Sequence, residues 1–96
     1  MLQFVIIARD GIDVDATQRR LAVRPAHLDG ARKLKATNNF IVGGAMLNED
    51  GQMNGSVMLV QFDTEEEMKQ WLENEPYVTG KVWETIEIRR FKVADV

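Results

Sequence analysis

FIVGGAMLNEDGQMNGSVMLVQF, residues 40–62, decides how this chain folds. Two runs of strand length, FIVGGAML (40–47) and GSVMLVQF (55–62), enclose a polar connection that holds Asp50-Gly51. β-Branched and aromatic residues around an Asp-Gly pair read as a hairpin with a longish loop. Gly43-Gly44 in the first arm allows a bulge or a close backbone approach, but resembles no phosphate loop.

The flanks of this hairpin carry one strand and one helix each. Upstream, LQFVIIA (2–8) is a strand-length apolar run. Gly11 to Asp15 form a loop, Asp15 is a plausible N-cap, and a helix runs to about Thr37, with Asn38-Asn39 a fitting end. Downstream, Thr64 to Glu67 form a capping box, and Met68, Trp71 and Leu72 give the second helix its apolar stripe. Pro76 stops that helix, and VWETIEIRRF (82–91) is the last strand. The order β-α-β-β-α-β with right-handed crossovers predicts an α+β, ferredoxin-like fold, a four-stranded antiparallel sheet with both helices on one face.

Side-chain alternation then leaves a face without cover. Leu2, Phe4, Ile6 and Ala8 point one way, Val5 and Ile7 the other; Met58, Val60 and Phe62 oppose Val57 and Leu59. Two helices cover one side only, so the second apolar face is expected to pack against another copy of the chain, making a homodimer with sheets face to face.

Ninety-six residues give one domain, residues 1–96, with no repeat or linker. Hydrophobic residues at 45% and charged residues at 28% exclude a disordered chain. A net charge of −3 argues against general nucleic-acid binding. No cysteine is present, which excludes disulfides and thiolate chemistry, and a single histidine argues against a zinc site within one chain, so no metal is expected. The start lacks a basic signal-peptide region, and no stretch approaches the roughly 18 apolar residues of a membrane span. The expected location is the cytoplasm.

The one histidine lies in RPAHLDGARK (24–33), two residues after a proline. On a helical wheel at about 100° per residue, Leu21, Val23, Leu28, Ala31 and Leu34 share an arc, and Arg20, Arg24 and His27 fall inside it. Two cations and an imidazole thus point toward the sheet, where charge without partners is costly. Pro25 is expected to bend or restart the helix, opening space for a pocket. A histidine acting as acid or base needs a carboxylate to orient it. Asp10, just past strand one, and Glu75, before Pro76-Tyr77, are the two candidates. Ser56 can donate to a ligand oxygen but lies in no nucleophile motif. A plainer reading exists: the first helix is basic and the second acidic, and opposite charges on neighbouring helices need no ligand.

The chain resembles the YCII-like proteins of the dimeric α+β barrel group over nearly its whole length. IIARD near the start, RRLAVRPAHL (19–28), NGSVMLVQF (54–62) and EPYVTGKVW (75–83) carry the resemblance. It implies a ferredoxin-like fold, sheet-to-sheet dimers, and a histidine with an acidic residue in the active site, with His27 at the matching position. Arg20, Arg24, Asp10, Ser56 and Tyr77 fall on positions that recur in the family. Two departures stand out: Glu75 replaces the usual Asp before the Pro-aromatic pair, and the NEDGQMN connection is shorter than in many relatives. Some relatives resemble isomerases or dehydrohalogenases of oxygenated ring compounds.

The leading expectation is therefore a cofactor-independent acid–base enzyme for a small anionic or oxygenated molecule. His27 would move the proton, Asp10 or Glu75 would orient it, Arg20 and Arg24 would hold the anion, and Ser56 and Tyr77 would add hydrogen bonds. The alternatives are a non-catalytic dimeric module that binds a small ligand, and a dimer whose histidine is packed and silent.

Overall fold

The computed structural model describes residues 1–96. Its elements are β1 (Leu2–Asp10), α1 (Ala16–Ala36), β2 (Phe40–Leu47), β3 (Met53–Phe62), α2 (Glu65–Glu73), α3 (Pro76–Thr79) and β4 (Trp83–Phe91). The four strands form one sheet in the order β2-β3-β1-β4, every neighbouring pair antiparallel. This is the ferredoxin-like βαββαβ topology that the sequence predicts.

The core follows from the alternation. Phe4, Ile6 and Ala8 of β1 lie opposite Val60, Met58 and Ser56 of β3, and all six are buried beneath the helices. Leu34 of α1, Met68 of α2 and Tyr77 of α3 close over them, with Val82 and Trp83 at the end. Burying each large apolar side chain stabilises the fold by about 1.5–3 kcal/mol. The opposite face presents Val5 and Ile7 beside Leu59 and Val57, with Val42 of β2 at its edge and 55% exposed.

Glycine at position 55 is required by this packing. A Cβ there would stand 2.6 Å from the Ala8 carbonyl oxygen and 2.5 Å from Met46 Cε. Gly55 thereby lets β1 and β3 close tightly just before Ser56.

Four local features differ from the sequence expectation. β1 continues through Asp10, because Arg9 still pairs with Gly55 and Asp10 with Trp83 after a register shift. Helix α1 runs unbroken through Pro25. Leu21 and Pro25 both lie on the exposed side, so the Leu21 carbonyl that loses its partner sits where water can serve it. Leu21 itself is 48% exposed rather than part of the apolar arc. Asp15 occupies the N-cap position of α1 without a side-chain capping bond, whereas Thr64 does cap α2, accepting from the Glu67 amide at 3.2 Å. At the far end of α1, Asn38 takes a left-handed φ of 63°, and the Asn39 amide returns to the Leu34 carbonyl at 2.8 Å, a common way to close a helix.

Candidate functional site

The segment after α2 sets the first part of the site. Pro76 both ends the preceding helix and opens α3 as its first residue, the position where a missing N–H costs nothing. Glu75, extended as a residue before proline should be, is the N-cap of α3, and its Oε1 accepts from the Tyr77 amide at 3.0 Å. That bond fixes the carboxylate. The same Oε1 stands 2.6 Å from His27 Nδ1. The Glu75 side chain is 1% exposed and that of His27 12%. Facing a carboxylate, Nδ1 carries the proton and donates, which leaves Nε2 as the basic nitrogen of the neutral ring.

Asp10 serves elsewhere. The register shift at Arg9/Asp10 turns it under the helices, where both its oxygens accept from Arg20 Nη1, at 2.8 and 3.0 Å. No hydrogen bond or ion pair joins Asp10 to His27; of the two carboxylates left open by the sequence, the structure places Glu75 on the imidazole. The Asp10–Arg20 pair is sealed, with side chains 4% and 3% exposed. Arg20 Nη2 donates to Ser56 Oγ at 2.8 Å, and Arg20 Nε has no partner.

Aromatic rings join the two pairs. The His27 imidazole stacks on the Tyr77 ring at 3.9 Å with planes 13° apart, and the Arg20 guanidinium lies 4.7 Å from the same ring. Trp83, first residue of β4, meets Tyr77 edge-on at 5.6 Å and His27 at 6.1 Å, and its indole N–H donates to Ser56 Oγ at 3.3 Å. Ser56 Oγ thus accepts from two donors while its own proton has no acceptor in the protein. Sequence reasoning did not single out Trp83. The available signal was that a buried tryptophan needs a partner for its N–H, and a strand-opening Trp next to the Pro-Tyr segment was in reach of Ser56.

Arg24, one turn before His27, is exposed and makes no hydrogen bond or ion pair within the chain. It lies close enough to Tyr77 to act on it. Burial pushes the Tyr77 hydroxyl above the usual phenol range, against the pull of Arg20 and Arg24. The helix expected to bend or restart at Pro25 runs on, and two clefts border it. One of about 350 Å3 lies between α1 and the α2–α3 corner and has Glu75 in its wall; another of about 340 Å3 is lined by Leu21, Arg24, Pro25, Leu28 and Arg32. No three His, Asp or Glu side chains converge to hold a metal ion, and no helix is long and apolar enough to cross a membrane.

Comparison with known proteins bears on the family and the fold. The family model described as YCII-related domain matches residues 2–92. Protein YciI of Escherichia coli is 32% identical over 95 residues, covering 93% of this chain and 95% of its own. The structure of 5-chloro-2-hydroxyhydroquinone dehydrochlorinase from Burkholderia phenoliruptrix, in complex with 2,5-dihydroxybenzoquinone, superposes with a TM-score of 0.81 at 26% identity, covering 96% of this chain and 95% of that one. A dimeric protein of unknown function and ferredoxin-like fold from Bacteroides fragilis has a TM-score of 0.58 at 14% identity, covering 96% and 95%. By sequence along nearly its full length, the chain belongs to the YCII-related domain family.

Proposed function

We propose that the chain is a cofactor-independent acid–base enzyme acting on a small anionic or oxygenated molecule, with His27 as the group that moves the proton. The observation that carries this reading is the 2.6 Å contact between His27 Nδ1 and a Glu75 carboxylate that is itself fixed by the Tyr77 amide. A buried carboxylate behind Nδ1 holds the ring in one tautomer and stabilises the imidazolium that forms when Nε2 takes a proton. The dehydrochlorinase similarity supports the reaction class: the proton goes to Nε2, the C–H electron pair forms a double bond, and the leaving group departs with its own pair. In an isomerisation the imidazolium returns the proton to another atom of the substrate.

Geometry redistributes the remaining roles. Arg20 is matched by Asp10 and sealed, so it positions Ser56 and Tyr77 rather than holding substrate. Arg24, exposed and unpaired, is the cation that meets a substrate anion or developing negative charge. Ser56, sealed like Arg20, accepts from Arg20 and Trp83 and ties those two side chains together rather than reaching a ligand. Tyr77 is fully buried and contributes its ring.

The active form in this reading is a homodimer joined through the open sheet face, in line with the dimeric Bacteroides neighbour. His27→Ala should abolish turnover of a halogenated or hydroxylated ring substrate while leaving fold and assembly intact. Glu75→Gln, which keeps an acceptor but not the charge, should lower kcat by about 10²–10⁴-fold. Full activity in His27→Ala would end the acid–base reading and leave a module that only binds its ligand.

A further inference from the structure

The cleft between α1 and the α2–α3 corner is not used in the proton transfer above, yet its wall carries features that a ligand would explain. Its volume of about 350 Å3 lies in the range of small-molecule pockets. Leu34, Pro76 and the Trp71 indole make its apolar surface, and the indole is braced by Phe62 at 5.7 Å. Glu75 supplies the buried charge. Its Oε1 is taken by His27 and by the Tyr77 amide, while Oε2 has no partner in the protein. A carboxylate oxygen in that position is an acceptor for a donor that comes from outside. Lys33 adds a cation at the rim, held only loosely by Asp29 at 3.4 Å with both side chains exposed.

Gly30 completes the pattern. It stands one turn after His27 in the interior of α1 and in the wall of the cleft, a place where glycine is disfavoured. No atom lies within 4 Å of where its Cβ would be, so packing does not demand a glycine there. Its absent side chain leaves the cleft open beside Glu75.

We propose that this cleft binds small hydroxyaryl acids, with a flat ring against Trp71, a phenolic hydroxyl donating to Glu75 Oε2, and the acidic group toward Lys33. A donor is needed at one end because a bare anion beside Glu75 would be repelled, and an acid at the other because Lys33 is the cation there. The proposal rests on the same Glu75 as the acid–base reading but concerns a separate cleft and requires no turnover.

The test titrates 4-hydroxybenzoate into the full chain and follows the Trp71 indole N–H by NMR, assigned with Trp71→Phe. A saturable shift is expected, with affinity about tenfold weaker for benzoate, which lacks the donor. Gly30→Leu should abolish the shift, and Lys33→Glu should weaken binding by about tenfold without touching the packed interior. His27→Ala should retain binding while losing turnover, so failure of the catalytic reading and failure of this one give different results. No saturable shift, equal affinity for benzoate, or binding indifferent to both Gly30→Leu and Lys33→Glu overturns the proposal.

Discussion

The ring of Tyr77 meets the Arg20 guanidinium at 4.7 Å and the His27 imidazole at 3.9 Å, and those two residues leave α1 about 10 Å apart along its axis. The ring therefore sits between them as a spacer. Tyr77→Phe keeps the spacer and should retain activity within about twofold, whereas Tyr77→Leu loses the flat surface that holds the imidazole and should cost on the order of 10²-fold in kcat; steady-state kinetics on the two variants separates ring from hydroxyl. Asp10→Asn has a different signature. It strands a buried guanidinium and should destabilise the fold by about 3–5 kcal/mol, read by urea unfolding. At this scale the sequence shows which residue types are present and leaves their pairing open. Asp10 and Glu75 were equal candidates for His27, and the choice between them is made by a register shift at Arg9/Asp10 and a helix cap at residue 75. Neither leaves a signature in the order of residues.

Among the elements, the loop from Gly11 to Asp15 is the clearest case of local electrostatics directing the chain. Arg19 donates to both oxygens of Asp13, at 3.1 and 2.8 Å, and its Nε reaches the Lys81 carbonyl at 3.0 Å, tying the start of α1 to the turn before β4. The Arg19 guanidinium lowers the Asp13 carboxyl from 3.8 to about 2. Because the folded value is the lower one, the contribution is complete above about pH 4 and is lost as the pH falls through about 2. Asp13→Asn should therefore be slightly less stable than wild type at neutral pH, with the difference closing between pH 4 and pH 2; chemical denaturation across that range checks it. Elements with clear local signals are legible, including the hairpin, the capping box and the apolar stripe of α2, whereas α1 carries only a weak stripe and is read from its ends. Those set by tertiary surroundings are not. Pro25 is expected to bend or restart α1, yet the helix continues through it, with Pro25 on the solvent side where the lost bond is tolerated. Pro76 was read as a stop, and the short α3 that it also begins is too brief to leave a period.

For the molecule as a whole, topology was readable because each crossover has one favoured hand and each strand has two distinct faces. The open face makes the corresponding prediction. Val5, Ile7, Val57 and Leu59 form its apolar centre. Leu59→Lys should shift the chain from dimer to monomer at micromolar concentration, seen by light scattering coupled to size exclusion. An unchanged monomeric mass in the parent chain would remove the sheet-to-sheet dimer. Glu75, finally, ties inheritance of shape to inheritance of chemistry. The same oxygen starts a helix and orients an imidazole, so drift that keeps the corner of the fold intact also keeps the acid beside the base. Screens for thermal tolerance alone would retain Glu75 for its cap, and if the proposed reaction were abandoned, His27 should be lost long before its partner.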